Sequence, residues 1–414
     1  MVAPSPRICC LDLDTFFVSV ERVLNPELKG KPLIVGGRKG TRGVVTAASY
    51  EVRPFGVRSG MSLVEAARLA PHAIYLPTRH DTYSDYSKRV RELVQDVCPV
   101  TRMASIDELY MDLAGCEELY REPDDKDEDA TIERVIHGLC DRIEDELSLP
   151  SSVGIGTSKS VAKIASGLAK PRGVVLVPRG SEKSFLAGLP VRKFPGIGPV
   201  AERKLLGLDV HTLGELVATP APVLRRVFGA YADAIQRGAQ GLGGHDLGRE
   251  RPAFWEHDPE GGIVGSISNE RTFSEDLTNR EKAEGVLSSL CERVCFRARK
   301  RGVKARTVSL KLRYSDFHTL TRARTLAPTH SELELYPVVL ELYEEARKRD
   351  LSIRLLGIQL KNLGYYDDQL ELFDNNEKLH GAVDALRAKF GYDSVRLARA
   401  LDFKDDKRRR SEEA

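Results

Sequence analysis

Short apolar runs and longer amphipathic stretches succeed one another along this chain. Ile8-Cys9-Cys10-Leu11 is apolar up to Asp12 and continues through Leu13, which predicts a buried strand over 8–13. A helix is expected from Phe16 to Val23, with Asp14 or Thr15 suited to cap its free N–H groups. Leu33–Val35 and Val44–Thr46 read as strands around a Gly-rich turn, and Met61–Leu69 as an amphipathic helix. A helical pattern over Tyr83–Val97 is ended by Pro99. A second strand-like run surrounds Asp107, followed by a helix over Ile132–Leu147, a strand at Val153–Gly156 and a well-capped helix over Thr157–Ala165. Strand–helix–strand–strand–helix–strand is the order of an α+β domain. Later, Thr307–Tyr314 alternates cleanly: Val308, Leu310, Leu312 and Tyr314 form one face, and Thr307, Ser309, Lys311 and Arg313 the other. Helices are expected at 281–299 and 331–348, and an amphipathic helix pair at 374–402.

Two of the apolar strands carry acids. Asp12 ends the first, and Asp107-Glu108 lies inside Ser105-Ile106-Asp107-Glu108-Leu109-Tyr110-Met111-Asp112. A carboxylate in a buried strand is costly unless something pairs with it. Neighbours on a strand point to opposite faces, so Asp107 and Glu108 can converge on one ion only if the backbone turns there or approaches closely. Mg²⁺ takes hard oxygen ligands and keeps positions for water or phosphate. Three carboxylates from two strands, with positions left open, suit two-metal phosphoryl transfer.

Composition narrows the class. At 414 residues, two to four domains are expected, and no apolar run is long enough to span a bilayer. No secretory signal is evident, so a cytoplasmic, nucleoid-associated protein is expected. The seven cysteines form no CxxC pair and read as free thiols. Net charge is only +2, but it is unevenly spread. Acids dominate from Asp107 to Glu146, with a run at Glu122–Asp129 that reads as a solvated surface loop. Between Arg293 and Arg324 stand eleven Lys and Arg against Asp316 alone, which points to a polyanion partner.

LDLDTFFVSVE followed by SIDELYMD resembles the catalytic core of the Y-family translesion DNA polymerases, most closely the DNA polymerase IV (DinB) branch. The likeness continues in family order through TAASYEVRPFGVRSGMS, VGIGTSKSVAKIASGLAKPRG and FPGIGPVAERKL, over nearly the whole chain. It implies a right-hand α+β polymerase with a ferredoxin-like palm (1–14 and 76–170), small fingers (15–75), a helix-hairpin-helix thumb (171–240), a linker (241–252) and an α/β little finger (253–362). Residues 363–414 would hold a clamp-binding motif and a tail whose last stretch, from Lys404, is charged.

By the same resemblance, Asp12, Asp107 and Glu108 are the catalytic carboxylates and hold two Mg²⁺ ions, with the carbonyl of Leu13 as a further ligand. Phe17 is the steric gate against a ribose 2′-hydroxyl, while Phe16 packs in the core. Tyr50, Arg53 and Lys159 hold the triphosphate, Tyr50 and Arg53 sharing a helix face. Lys163 is structural or a template-side contact. Asp14 and Asp112 read either as structural residues or as groups that stand behind the metal ligands. Gly196 and Gly198 of the hairpin approach DNA phosphates, and Lys311 and Arg313 face DNA from the little finger. Gln369-Leu370-Glu371-Leu372-Phe373 resembles the bacterial sliding-clamp-binding pentapeptide, with Gln369, Leu370, Leu372 and Phe373 as contacts. Expected partners are primer-template DNA, dNTP and the clamp, bound by a monomer. Leu109 and Met111 replace the family's more usual Ala and Leu, and the acidic loop looks like an insertion. The competing reading is a non-catalytic, polymerase-like DNA- and clamp-binding scaffold, from which the metal carboxylates would be lost; here all three are present.

Overall fold

A computed structural model describes residues 6–244, 247, 265–366 and 376–400. The chain divides into two compact units, Met1–Trp255 and Glu256–Ala414. Trp255, the pentapeptide residues Gln369, Leu370, Leu372 and Phe373, and the Lys404–Ala414 tail lie outside the described residues.

The first unit is built on a five-stranded sheet. Across the sheet the order is Thr101–Met103, Glu108–Asp112, Ile8–Leu13, Ser151–Gly156 and Val174–Leu176. The central strand, Ile8–Leu13, is fully buried and antiparallel to both neighbours. Its two-residue period sorts its side chains. Cys9, Leu11 and Leu13 enter a core with residues of the helices His80–Val97 and Glu128–Leu147. Ile8 and Cys10 pack instead with Ala162 of the helix Lys159–Ala169. Asp12 has the parity of Ile8 and Cys10, so it is directed to the face that this last helix covers. The helix lies unusually close to the sheet. A Cβ on Gly154 would stand 2.1 Å from the Ala162 carbonyl oxygen and 2.2 Å from the Ser166 nitrogen, a space only glycine leaves open.

The segment after the first helix, Phe16–Leu24, forms a small three-stranded sheet: Ala47–Ala48, Leu33–Val35 and Ile74–Leu76. The strand expected at Val44–Thr46 is displaced to Ala47–Ala48. Val44 instead bridges to Ser62, and Thr46 spends both its N–H and its hydroxyl on the Val35 carbonyl. Tyr50–Phe55 is a 3₁₀ turn rather than an α-helix, and Leu63–Leu69 is helical, with Ser62 accepting from the Val64 N–H. Beyond the five-stranded sheet, helices Glu182–Ala187, Pro199–Leu206, Leu213–Ala218, Ala221–Phe228 and Ala232–Ala239 gather around a core.

The second unit places four antiparallel strands in the order Thr319–Thr329, Lys304–Tyr314, Ile353–Gly364, Ser266–Leu277. Helices Arg280–Arg299 and Glu332–Ala346 cover one face. Val308, Leu310, Leu312 and Tyr314 are fully buried beneath them, as the alternation predicts. Ser309 departs from the pattern: it is also buried. The helix pair expected at 374–402 is a single helix, Asn376–Phe390, followed by two 3₁₀ turns. It is tied down by buried charge rather than by a second helix. Arg387 donates to Glu292 at 2.7 Å, and Arg299 donates to Asp384 at 2.7 Å and to Glu332 at 2.6 Å.

Candidate active site

Strand register brings Asp12 and Glu108 together, and a turn leads Asp107 into the second strand. Asp12 pairs directly with Glu108 across the antiparallel strands, so both side chains emerge on one face. The strand begins only at Glu108. Ahead of it the chain folds around the Glu108 carbonyl, which accepts from Ala104 N at 2.9 Å and Ser105 N at 3.1 Å. Asp107 therefore sits in the turn and escapes strand alternation. Its own carbonyl accepts from Leu13 N at 2.9 Å, which ties the turn to the end of the central strand beside Asp12. The Asp107 carboxylate accepts from the Ser105 hydroxyl and is part-exposed.

Two lysines reach these acids. Lys163 donates to Asp12 Oδ2 at 3.1 Å and also to Glu108 Oε2. Lys170 donates to Asp12 Oδ1, with Asp14 Oδ1 3.8 Å away. Burial pushes the Lys163 pKa down, but the Glu108 hydrogen bond and the charges of Asp12 and Glu108 outweigh it, and the net shift is upward. Lys163 remains an ammonium. Among the described residues the acids do not form a ready metal-binding group. Three carboxylates without a cation repel one another, and here ammonium groups supply the positive charge between Asp12 and Glu108. The donor set is hard oxygen, and Asp12 and Glu108 accept cations from the helix side. These are the properties a divalent-ion site needs.

Lys159 is placed elsewhere. Its N–H donates to the Gly244 carbonyl at 3.1 Å, and it lines a shallow pocket with Tyr110, Phe194, Gly243 and Gly244. The ammonium groups at the carboxylates are those of Lys163 and Lys170.

 The pocket beside Lys159 has a volume of about 280 Å³. The family resemblance points to Lys159, which also stands at a helix start. Only the fold reveals that Lys163, one turn on, shares the carboxylates' face, and that the Lys170-Pro171-Arg172 turn carries a second ammonium back to Asp12.

Further aromatic and polar groups come from the first helix and the segment that follows it. The Arg53 guanidinium lies over the Tyr50 ring, 4.4 Å from its centroid. A 3₁₀ turn eclipses positions i and i+3, so it brings the two residues together more directly than an α-helix would. The Tyr50 hydroxyl donates to Asp14 Oδ1 at 3.2 Å. Burial and the Asp14 charge raise the Tyr50 pKa to about 12, so the phenol stays protonated.

Asp14 and Thr15 do not cap the first helix. Thr15 adopts a left-handed conformation (φ 45°), its side chain makes no capping bond, and the Asp14 carboxylate is committed elsewhere. Phe16 is buried, as expected. Phe17 is half-buried and stacks on Tyr83, with centroids 4.2 Å apart and planes 17° from parallel. Tyr83 is itself fixed by donating to buried Glu21 at 2.6 Å, and Arg79 donates to the same carboxylate at 2.6 Å. Asp112 accepts from Ala114 N at 3.0 Å, a local turn contact.

In the hairpin, Gly196 has φ +94°, which favours glycine. Gly198 precedes the helix Pro199–Leu206, whose first residue is proline. In the second unit, Lys311 donates to Glu270 at 2.9 Å. The two strands are separated by Gly357, which pairs with both residues and has no side chain to keep them apart. Arg313 donates to the Thr319 hydroxyl at 2.8 Å.

Three family models match the chain. The impB/mucB/samB family model matches residues 11–167, its C-terminal domain matches 264–372, and the IMS family HHH motif matches 179–210. The chain is 38% identical over 404 residues to DNA polymerase IV of Dehalococcoides mccartyi strain CBDB1, covering 96% of this chain and 98% of that one. The chain belongs to the Y-family DNA polymerases, in the DNA polymerase IV branch. It is 36% identical over 400 residues to DNA polymerase IV of Caulobacter vibrioides, covering 95% and 94% of the two chains. A solved Y-family polymerase chimera of Dbh and Dpo4 superposes with a TM-score of 0.71 at 25% identity, covering 86% of this chain and 99% of the other. DinB from Sulfolobus solfataricus gives a TM-score of 0.54 at 26% identity, covering 86% and 98%. The fold is that of an α+β Y-family polymerase with a helix-hairpin-helix motif and a little-finger domain.

Proposed function

We propose that this polymerase IV-type enzyme performs template-directed, translesion DNA synthesis by two-metal nucleotidyl transfer, and that the sliding clamp recruits it. One observation carries the chemistry: Asp12 and Glu108 lie side by side across the sheet with Asp107 in the adjoining turn, and two lysines already balance the charge. Asp12, Asp107, Glu108 and the Leu13 carbonyl would hold the ions. Two bound Mg²⁺ would activate the primer 3′-hydroxyl and neutralise the leaving pyrophosphate. The protein's own part is positioning. Arg53, stacked on Tyr50, offers a planar fork to phosphate oxygens. The Tyr50 hydroxyl and the Lys170 ammonium stand beside one carboxylate, Asp14, and we assign Lys170 the phosphate contact that the sequence pattern gives to Lys159. Lys163 bridges Asp12 and Glu108 until the ions arrive. Phe17, held flat against Tyr83, presents a fixed ring edge to the nucleotide sugar. An insertion ternary complex of Dbh DNA polymerase is among the similar solved structures, which supports DNA and nucleotide as partners. Gly196 and Gly198 would approach the DNA backbone from the thumb, and Lys311 and Arg313 from the little finger. The pentapeptide Gln369–Phe373 supplies the reading of clamp recruitment.

Primer extension with Mg²⁺ tests the proposal. Wild type should add deoxynucleotides to a primed template. Asp107→Ala should lose at least about a thousandfold in rate, because removing a group acting only in the transition state lowers kcat directly, while primed-DNA affinity is retained. An inert wild type that still binds primed DNA would overturn it in favour of a scaffold.

A further inference from the structure

We propose that Asp14 is a positioning residue that sets the nucleotide's phosphate-binding groups in place before the nucleotide arrives. This rests on the reading of Tyr50 and Lys170 as phosphate contacts. The Asp14 side chain is 1% exposed, yet it lies at the seam of three segments. Its Oδ1 accepts from the Tyr50 hydroxyl at 3.2 Å and lies 3.8 Å from the Lys170 ammonium. Its Oδ2 accepts from the Ser152 hydroxyl at 2.9 Å and from the Arg172 N–H at 2.8 Å. Its backbone is held as well: Asp14 N donates to the Pro150 carbonyl at 2.9 Å, and the Ser19 hydroxyl donates to its carbonyl at 2.7 Å.

One oxygen thus faces the two nucleotide-side groups, and the other is fixed to the palm strand and to the turn that follows the palm helix. That turn needs fixing. Arg172 has φ +54°, a left-handed conformation that a residue with a side chain adopts at a cost. The Asp14–Arg172 bond holds the turn, and the turn carries Lys170 to Asp12. Tyr50 arrives from the fingers, 36 residues away in sequence, and has its hydroxyl fixed by the same group. A phosphate then meets an aromatic hydroxyl, an ammonium and the stacked Arg53 guanidinium already in place, which lowers the ordering cost of binding.

The isosteric amide cannot reproduce this. Asparagine offers one acceptor oxygen and one NH₂ donor. If NH₂ takes the place of Oδ2, it opposes the Arg172 N–H. If it takes the place of Oδ1, it opposes the Lys170 ammonium. Either orientation frees one side of the arrangement.

Steady-state primer extension with Asp14→Asn, Tyr50→Phe and the double variant tests the assignment. The expected result is a KM for dNTP raised about five- to twentyfold by Asp14→Asn, with kcat changed less than about threefold and primed-DNA affinity unchanged. The rise should be smaller in the Tyr50→Phe background, because the two substitutions break one shared bond. An unchanged KM accompanied only by a lower Tm would overturn the proposal, as would an equal KM rise in both backgrounds. Should Asp14→Asn not fold, Ser152→Ala carries the test, since it removes one donor to Asp14 and touches no nucleotide group. A two- to threefold KM rise that shrinks in Tyr50→Phe supports the proposal, and no rise overturns it. A wild type that extends no primer defeats the reading of the site itself, separately from the role of Asp14.

Discussion

At the scale of single residues, position on a strand or turn decides what each acid does. Asp12, Asp14 and Asp112 are all aspartates near strand ends. Only Asp12 faces Glu108; Asp14 accepts from three segments, and Asp112 closes a local turn. Phe17 depends on its neighbour in the same way. Its ring is braced by Tyr83, so truncation removes a wall that nothing beside it can replace. Phe17→Ala is expected to improve ribonucleotide over deoxyribonucleotide use by about 10- to 200-fold, the range one steric contact is worth. Single-nucleotide insertion kinetics with matched ribo- and deoxyribonucleotides measure it, and an unchanged ratio would remove the gate from Phe17. Cys10 gives a second residue-level expectation. Burial, with the Glu108 charge behind it, raises its thiol to about 12. At pH 8 almost none is thiolate, so Cys10 should resist alkylation in the folded protein and react only on unfolding. Mass mapping after iodoacetamide treatment checks this.

At the scale of elements, the contact between the strand Ser151–Gly156 and the helix Lys159–Ala169 does the most for the site. Gly154 lets the helix backbone rest on the sheet, and that helix carries Lys163 to Asp12 and Glu108. In Gly154→Ala the methyl group would stand 2.1 Å from backbone, which no side-chain rotation relieves. The helix must lift. A loss of about 2–3 kcal/mol is expected from overpacking, lowering Tm by roughly 5–10 °C. Activity should fall beyond what the lost folded fraction explains, because Lys163 moves with its helix. Thermal denaturation and primer extension below the new Tm separate the two effects.

At the scale of the whole molecule, the charge pattern reads differently once folded. The basic stretch from Arg293 to Arg324 is not one uniform DNA-facing strip. Arg299 is paired with Asp384 and Glu332, Arg324 with Glu341 and Glu345, and Lys311 with Glu270. Part of the stretch therefore holds the little finger together. Lys311→Ala should change the salt slope of DNA binding by clearly less than the value of about one expected for a phosphate-contacting lysine. Glu270→Gln should tighten DNA binding by freeing the Lys311 charge. Fluorescence anisotropy across a salt series tests both, and weaker binding by Glu270→Gln would place Lys311 away from DNA.

The sequence by itself determined the family, the α+β class and the alternation that buries Val308, Leu310, Leu312 and Tyr314. These follow from local order: an apolar run with an acid at its end, or a two-residue period, survives in one dimension. It did not determine which lysine meets the acids, what Asp14 does, or which bases are already neutralised. Lys163 and Lys170 reach Asp12 from 151 and 158 residues away, and Lys311 meets Glu270 only because Gly357 lies between their strands. Side-chain partners of that kind are set by strand register and by how closely a helix packs on the sheet. Both are properties of the folded chain, so only the tertiary structure could decide them.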